Sequence, residues 1–363
     1  MQKIYLVLTF DHELSLGGVH GTYEENLFWP TDRVLDVADA LRVPITLFTD
    51  VLGGIRFRDA NVSLFTKRYE AQLQDALKRG HDVQLHLHPQ WLRAVIRGSW
   101  FSPSQCDTLH HFRDEPPPND IDGIVAQGVA FLNDICKMVQ PHYACIAFRA
   151  GGLALALSTD KILSALYRHG IRIDSSIAKG YRFQSNISEV DFSDMPLQGN
   201  WTIPLSGPLN RPADKGILEV PIVAAPRTPL GNIPILFKRF VLYRSRRWDP
   251  QGVSLHDSRA GWVSKLKRVL SYSTWMLSFD RHYHDASDLL KILAGFIQRH
   301  SGDEILFAST LSHPKFMGPY HLKLMRDFIV CAQETYGDRL VFCHYADMLR
   351  RIDERYEQEK RAS

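Results

Sequence analysis

Five apolar runs in this chain each break off at an ionisable group. Ile4–Phe10 leads into Asp11-His12-Glu13, and Val83-Gln84-Leu85 leads into His86-Leu87-His88-Pro89-Gln90-Trp91. The run ending at Phe148 meets Arg149-Ala150-Gly151-Gly152, Ile171-Arg172-Ile173 meets Asp174, and Ser309-Thr310-Leu311-Ser312 meets His313. On an extended backbone, residues two apart point to the same side. Asp11 and Glu13 therefore share one side of their strand, and His86 and His88 share one side of theirs. Two imidazoles and a carboxylate brought together can hold a divalent ion such as zinc. The other carboxylate stays close by and can take a proton from water, whose pKa falls to about 7 on zinc. Arg149 can fix that carboxylate, and His313, from a separate strand, can give a proton to a leaving group. Together these roles describe metal-assisted hydrolysis. A single His-x-His or Asp-x-Glu carries little weight, because acidic residues commonly cap helices. Five polar strand ends in one chain carry more.

The elements that must position these groups alternate. Strands are expected at 4–10, 44–49, 82–87, 143–149, 171–174, 217–223, 274–279, 304–310 and 340–343. Helices are expected at 31–42, 66–79, 121–140, 158–169, 285–300, 318–336 and 344–359. Strand–helix–strand repetition implies parallel strands with crossover helices, and the count suits a complete or partial α/β barrel. In such barrels function sits at the C-terminal strand ends, where the five ionisable groups lie. Residues 92–120 read as a long loop. Residues 175–270, rich in Gly, Pro and Arg, read as a large insertion decorating the barrel mouth. The whole of 1–363 is expected to be one domain.

Composition narrows the class. The chain has 363 residues, 45% hydrophobic and 23% charged, which excludes disordered, collagen-like and coiled-coil proteins. Lys+Arg exceeds Asp+Glu by only 43 to 40, giving no electrostatic argument for a nucleic-acid partner. The five cysteines are far apart without a Cys-x-x-Cys pair, arguing against a disulfide scaffold and for reduced thiols. Residues 4–10 are β-rich and run straight into Asp11, unlike a signal peptide, and no stretch approaches the roughly 20 apolar residues of a membrane span. A cytoplasmic location is the expectation.

The same residues resemble the polysaccharide deacetylase (NodB-homology) family of metal-dependent carbohydrate esterases. Thr9-Phe10-Asp11 resembles its first motif, Thr-Phe-Asp-Asp, and Gly80-His81-Asp82-Val83-Gln84-Leu85-His86 resembles the approach to its second. Phe148-Arg149-Ala150-Gly151 resembles the third, Asp174-Ser175-Ser176 the fourth and Leu311-Ser312-His313 the last, in family order from residue 4 to about 315. The resemblance implies a distorted (β/α) barrel of the polysaccharide deacetylase type and a zinc-type site. It also implies removal of an N- or O-linked acetyl group from a sugar; with no export signal visible, that sugar is expected in a precursor of a surface polysaccharide or glycolipid. Carried over, Asp11 is the general base, Arg149 orients it, His313 is the general acid and His86 is a ligand, with Asp174 and Trp91 expected against the substrate. The chain departs from the pattern twice. His12 stands where the family has a second Asp, so Glu13 becomes the acidic ligand. Gln90 stands where it has a second His, so His88 becomes the substitute, with His12 and Gln90 as alternative ligands. Two other functions fit the same barrel: hydrolysis of a cyclic amide, and an inactive relative serving as a glycan-binding or scaffold protein.

Three further segments carry polar clusters. Ser278–Asp285 follows a strand candidate; Asp285 is expected to cap the helix after it, while His282 and His284 either border the cleft or are solvated. His110-His111 is expected at the surface, and Glu219 either lines the mouth or forms an edge ion pair. Residues 237–248 mix aromatics with cations. They admit three readings: a solvated basic face, contact with an anionic membrane, or a grip on a diphosphate-linked sugar.

Overall fold

The computed structural model describes residues 2–16, 22–98, 100–155, 157–184, 188–228, 233–235, 237–248 and 273–362. Its centre is a ring of parallel strands: β1 (Lys3–His12), β2 (Ile45–Asp50), β3 (Asp82–Leu87), β4 (Ala147–Ala150) and β5 (Ile173–Asp174) pair side by side in chain order. Then β6 (Trp201–Ile203) runs antiparallel to β7 (Ile217–Glu219), and β7 returns parallel to β5. A ribbon of β8 (Ala224–Arg227) and β9 (Ser273–Met276) follows, and β10 (Ile305–Ser309) pairs with the other edge of β1. The ring closes just beyond β7. Ser309 N–H donates to Pro221 O at 3.0 Å and Val223 N–H donates to Ser309 O at 2.8 Å. Thus β1, β2, β3, β4, β5, β7 and β10 form a distorted parallel α/β barrel. The last strand, β11 (Leu340–Phe342), pairs with β1 outside the ring.

Closure changes the reading of 175–270. Residues 217–223 within it are barrel wall, not decoration; 185–187, 229–232, 236 and 249–272 lie outside the described residues. Strand candidate 274–279 enters the β8–β9 ribbon rather than the ring.

The period-two pattern sorts side chains into two cores. One residue from most ring strands points inward: Val7, Phe48, Ala147, Ile173, Val220 and Phe307 form an apolar cluster. Tyr345 and Met348 close its lower end from the C-terminal helix α8 (Tyr345–Ala362). Alternate residues such as Leu6, Leu8, Leu47, Val83 and Leu85 face outward into the larger cluster under the helices. Those helices are α1 (Trp29–Leu41), α2 (Val51–Asp59), α3 (Ser63–Lys78), α4 (Ile121–Cys136), α5 (Thr159–Arg168), α6 (Ala286–Arg299) and α7 (Pro319–Tyr336). The sequence reading places no helix at α2, which carries Gly53-Gly54. The glycines answer to packing: a Cβ on Gly54 would lie 2.8 Å from Tyr69, and one on Gly53 would lie 3.1 Å from the Trp91 indole. Among the described residues, no helix is long and apolar enough to cross a membrane.

Candidate metal centre

The inward parity that places Val7 in the apolar cluster carries on up β1 through Thr9 and Asp11 to Glu13. The same parity on β3 puts Gln84, His86 and His88 on the inner side. One ligand atom each from Glu13, His86 and His88 lies within 4.8 Å of the others, and all three residues are buried. The Glu13 carboxylate is 3.1 Å from His86 Nε2 and also touches His88 Nε2. The orientation of His86 follows from its other nitrogen. Nδ1 lies 2.8 Å from Arg149 O, and a carbonyl only accepts, so Nδ1 donates there and Nε2 is the nitrogen turned toward Glu13. Two imidazole nitrogens and one carboxylate oxygen suit zinc or a similar divalent ion, so the residues present fit the metal that the sequence implies. Burial disfavours charge on His88 and Glu13, but each holds the other ionised: His88 is raised to about 9, and His88 with Lys315 keeps Glu13 well below its ordinary value.

His12 takes the opposite parity. It is fully buried outside the ring, with its nitrogens 2.8 Å from Thr49 Oγ1 and 2.9 Å from Gln72 Oε1 of α3. Burial lowers its pKa to about 4. Gln90 sits in the short turn Pro89–Arg93, outside the ligand cluster.

Asp11 and His313 flank the cluster. Asp11 Oδ1 accepts from Arg149 Nη1 at 2.6 Å. Its Oδ2 lies 3.9 Å from His86 Nε2 and 3.8 Å from His313 Nε2. Arg149 is wholly buried and spends its donors on Thr9 Oγ1 (2.8 Å), Ser175 O (2.8 Å) and Ser175 Oγ (3.1 Å) as well, with its guanidinium 4.3 Å from the Phe48 ring centroid. It forms the floor between the polar mouth and the apolar barrel. The Gly151 that follows is required by close approach: a Cβ there would lie 2.5 Å from Leu87 O and 2.8 Å from His88 Nδ1.

No family model matches the chain, and no curated protein matches its sequence. Solved structures do resemble it. A protein from Mycobacterium smegmatis assigned as a polysaccharide deacetylase aligns over 98% of this chain and 92% of its own, at 12% identity and a TM-score of 0.49. The allantoinase Puue aligns over 96% and 89% at 10% identity and 0.47, and an assigned polysaccharide deacetylase from Pseudomonas aeruginosa PAO1 over 96% and 90% at 11% and 0.46. The chain is similar to polysaccharide deacetylases. With such low identities and with TM-scores under 0.5, the likeness carries no functional argument by itself. The residues at the mouth have to carry it.

Three mouth residues escape the deacetylase motifs. Asp280 accepts from His313 Nδ1 at 2.7 Å and from the His313 backbone N–H at 3.1 Å. Burial opposes its ionisation, but Arg281 and His313 hold it well below the ordinary carboxylate range. Lys315 is buried and donates to Glu13 Oε1 at 2.7 Å, leaving Oε2 for the histidines. Asp50, at the end of β2, accepts from Trp91 Nε1 at 2.5 Å and from the His88 backbone N–H at 3.3 Å. Each comes from a segment remote in sequence from its partner, so only a scan for polar strand ends could flag Asp50, and nothing in the spacing flags Lys315.

The two residues expected against substrate are both buried. Trp91 is wholly buried among Phe57 and Phe101 and reaches the site only through Asp50. Asp174 alternates outward on β5, is wholly buried, and accepts from Ser176 N–H and Oγ–H at 3.0 and 2.8 Å. Glu219, paired with it across β5 and β7, neither lines the mouth nor forms an edge ion pair. Burial, then the Asp174 charge, raises its pKa well above the ordinary value. Asp285 caps α6 with a capping box, and His110 bonds Ser158 away from the mouth.

Proposed function

We propose that the chain is a metal-dependent hydrolase that removes an acetyl group from a sugar, acting in the cytosol on a precursor of a surface polysaccharide or glycolipid. The observation that carries this reading is the convergence of three groups in one mouth: the Glu13–His86–His88 donor set, a carboxylate fixed by arginine, and a histidine fixed by a carboxylate. A divalent ion held by Glu13, His86 and His88 would supply Lewis acidity toward an acyl oxygen and toward water. Asp11 does the base's work. Arg149 occupies its Oδ1, so Oδ2 faces the mouth and can take a proton from the attacking water. His313 does the acid's work. Asp280 accepts its Nδ1–H and stabilises the imidazolium, which turns Nε2–H toward the mouth to protonate a departing amine.

The test is metal analysis of the purified protein together with acetate release from a panel of N- and O-acetylated sugars. One tightly held divalent ion and acetate from at least one sugar are the expected results. Ring opening of a cyclic amide without acetate release would move the chain to the other hydrolase reading. No metal and no turnover would leave a glycan-binding or scaffold role.

A further inference from the structure

The stretch from Arg227 to Trp248 contains six cations (Arg227, Lys238, Arg239, Arg244, Arg246 and Arg247) and no Asp or Glu. Within it, Ile233, Phe237, Val241 and Leu242 are large apolar side chains exposed to 54–61%. Elsewhere, exposed large apolar residues are scattered; here four fall within ten positions, interleaved with charges of one sign. The stretch is also anchored at the mouth. Lys238 donates to Asp288 at 2.7 Å and to Asp285 at 3.4 Å, and Arg239 O lies 3.3 Å from His282 Nε2. All three partners belong to the loop and helix that follow Asp280. At its other end Trp248 stacks on Trp29 with ring centroids 5.2 Å apart and packs so closely on Gly318 that a Cβ there would lie 2.2 Å from the indole. Gly318 is three residues beyond Lys315.

We propose that residues 233–235 and 237–248 seat the protein on an anionic phospholipid surface, with Phe237, Val241 and Leu242 entering the interface and the cations interleaved with them drawn to lipid phosphates. Exposed apolar side chains alone could equally cover a second copy of the chain. The one-signed charge decides between them, because this same face in another copy would repel it, whereas a negative lipid surface attracts each cation and takes up the apolar side chains. Arginine forks also bind phosphate with two parallel hydrogen bonds. The seat is tied to the segments that follow Asp280 and Lys315, so it would present the mouth to the membrane surface. Resting on the hydrolase reading, this makes the substrate a sugar held on a lipid.

The test is co-sedimentation of the whole protein with vesicles of phosphatidylcholine alone and of phosphatidylcholine mixed with phosphatidylglycerol. Binding to the mixed vesicles that weakens with salt, with little binding to the neutral ones, is expected. Arg244→Gln with Arg247→Gln should weaken it roughly 30-fold, at about fivefold per cation. Phe237→Ser with Val241→Ser should weaken it by at least about tenfold. All four positions are exposed or at the rim, and thermal melts of the variants should match the parent. Equal binding to both vesicle types, no binding, or unchanged binding by both double variants would overturn the proposal. So would a dimer in light scattering that Phe237→Ser with Val241→Ser dissolves without any vesicle binding. His86→Ala should bind vesicles like the parent, which separates failure of this inference from failure of the hydrolase reading.

Discussion

The two ends of the barrel are built from the same strands and the same inward parity, yet they hold opposite chemistry. At the lower end Val7, Phe48, Ala147, Ile173, Val220 and Phe307 meet Tyr345 and Met348 in an apolar plug. Two to six residues further along the same strands stand Asp11, Glu13, Asp50 and Arg149, with His86 and His88 on β3. Arg149 is the seam, with the Phe48 ring beneath its guanidinium and Asp11 above it. The difference teaches where stability and activity are separately held. Burying apolar area stabilises the lower end. The upper end keeps buried charges that cost desolvation and persist because each has a partner within hydrogen-bond reach. Substitutions above the seam should therefore remove activity, and those below it should remove stability.

The largest effect is expected from His86→Ala. It deletes a donor whose orientation is fixed by Arg149 O, so metal content should fall and turnover should drop to background. Bound metal at parent level in this variant would break the ligand assignment. Asp11→Asn should keep the metal and lose about 10²–10⁴-fold in kcat, the usual worth of an acid–base group. Parent-level turnover on a confirmed substrate would remove Asp11 from the base's role. His313→Ala should keep the metal too, but should slow an N-acetyl substrate by about 10²-fold or more and an activated acetyl ester far less. An ester with a good leaving group departs without a proton; an amine does not. Equal slowing of both would make His313 a positioning group. Below the seam, Met348→Ala should lower unfolding stability by about 2–5 kcal/mol through the cavity it leaves, measured by urea denaturation, with kcat of the folded fraction unchanged.

Much of the upper end was legible because strand parity is a strict rule. Asp11 with Glu13 and His86 with His88 could be placed on common sides from spacing alone, and the same rule turned His12 outward. The parallel barrel was legible from alternating runs, but its closure was not. The 217–223 run reads as a strand without revealing that it pairs with Ser309 and completes the ring. Asp280 and Lys315 were illegible for a related reason. Each meets its partner through space, across 33 and 302 positions of chain, and no local spacing encodes that. Trp91 and Asp174 are expected against substrate from their places beside motif residues; the fold buries both, one under Asp50 and the other facing out of the ring.

Lys315 offers the subtlest test of how the upper end tolerates its charges. Its ammonium lies 2.7 Å from Glu13 Oε1 and is almost fully buried, so the two form a buried ion pair. Removing one partner of a buried pair typically costs 3–5 kcal/mol. Lys315→Met should sit at or below about 3 kcal/mol in the metal-free chain, because His88, raised to about 9, remains protonated at neutral pH and still faces Glu13. A divalent ion bound to Glu13 would restore the missing positive charge. Zinc should therefore stabilise Lys315→Met more than it stabilises the parent, because a ligand that binds only the folded state adds stability in proportion to its affinity there. Thermal melts of parent and variant, each with chelator and with zinc, give the four numbers required. A larger zinc-induced rise in Tm for the variant would mean that Lys315 and the ion share one carboxylate. Equal rises would mean that Lys315 is electrically separate from the metal centre and serves only to fill the mouth between Glu13 and Leu14, whose carbonyl it also reaches at 3.3 Å.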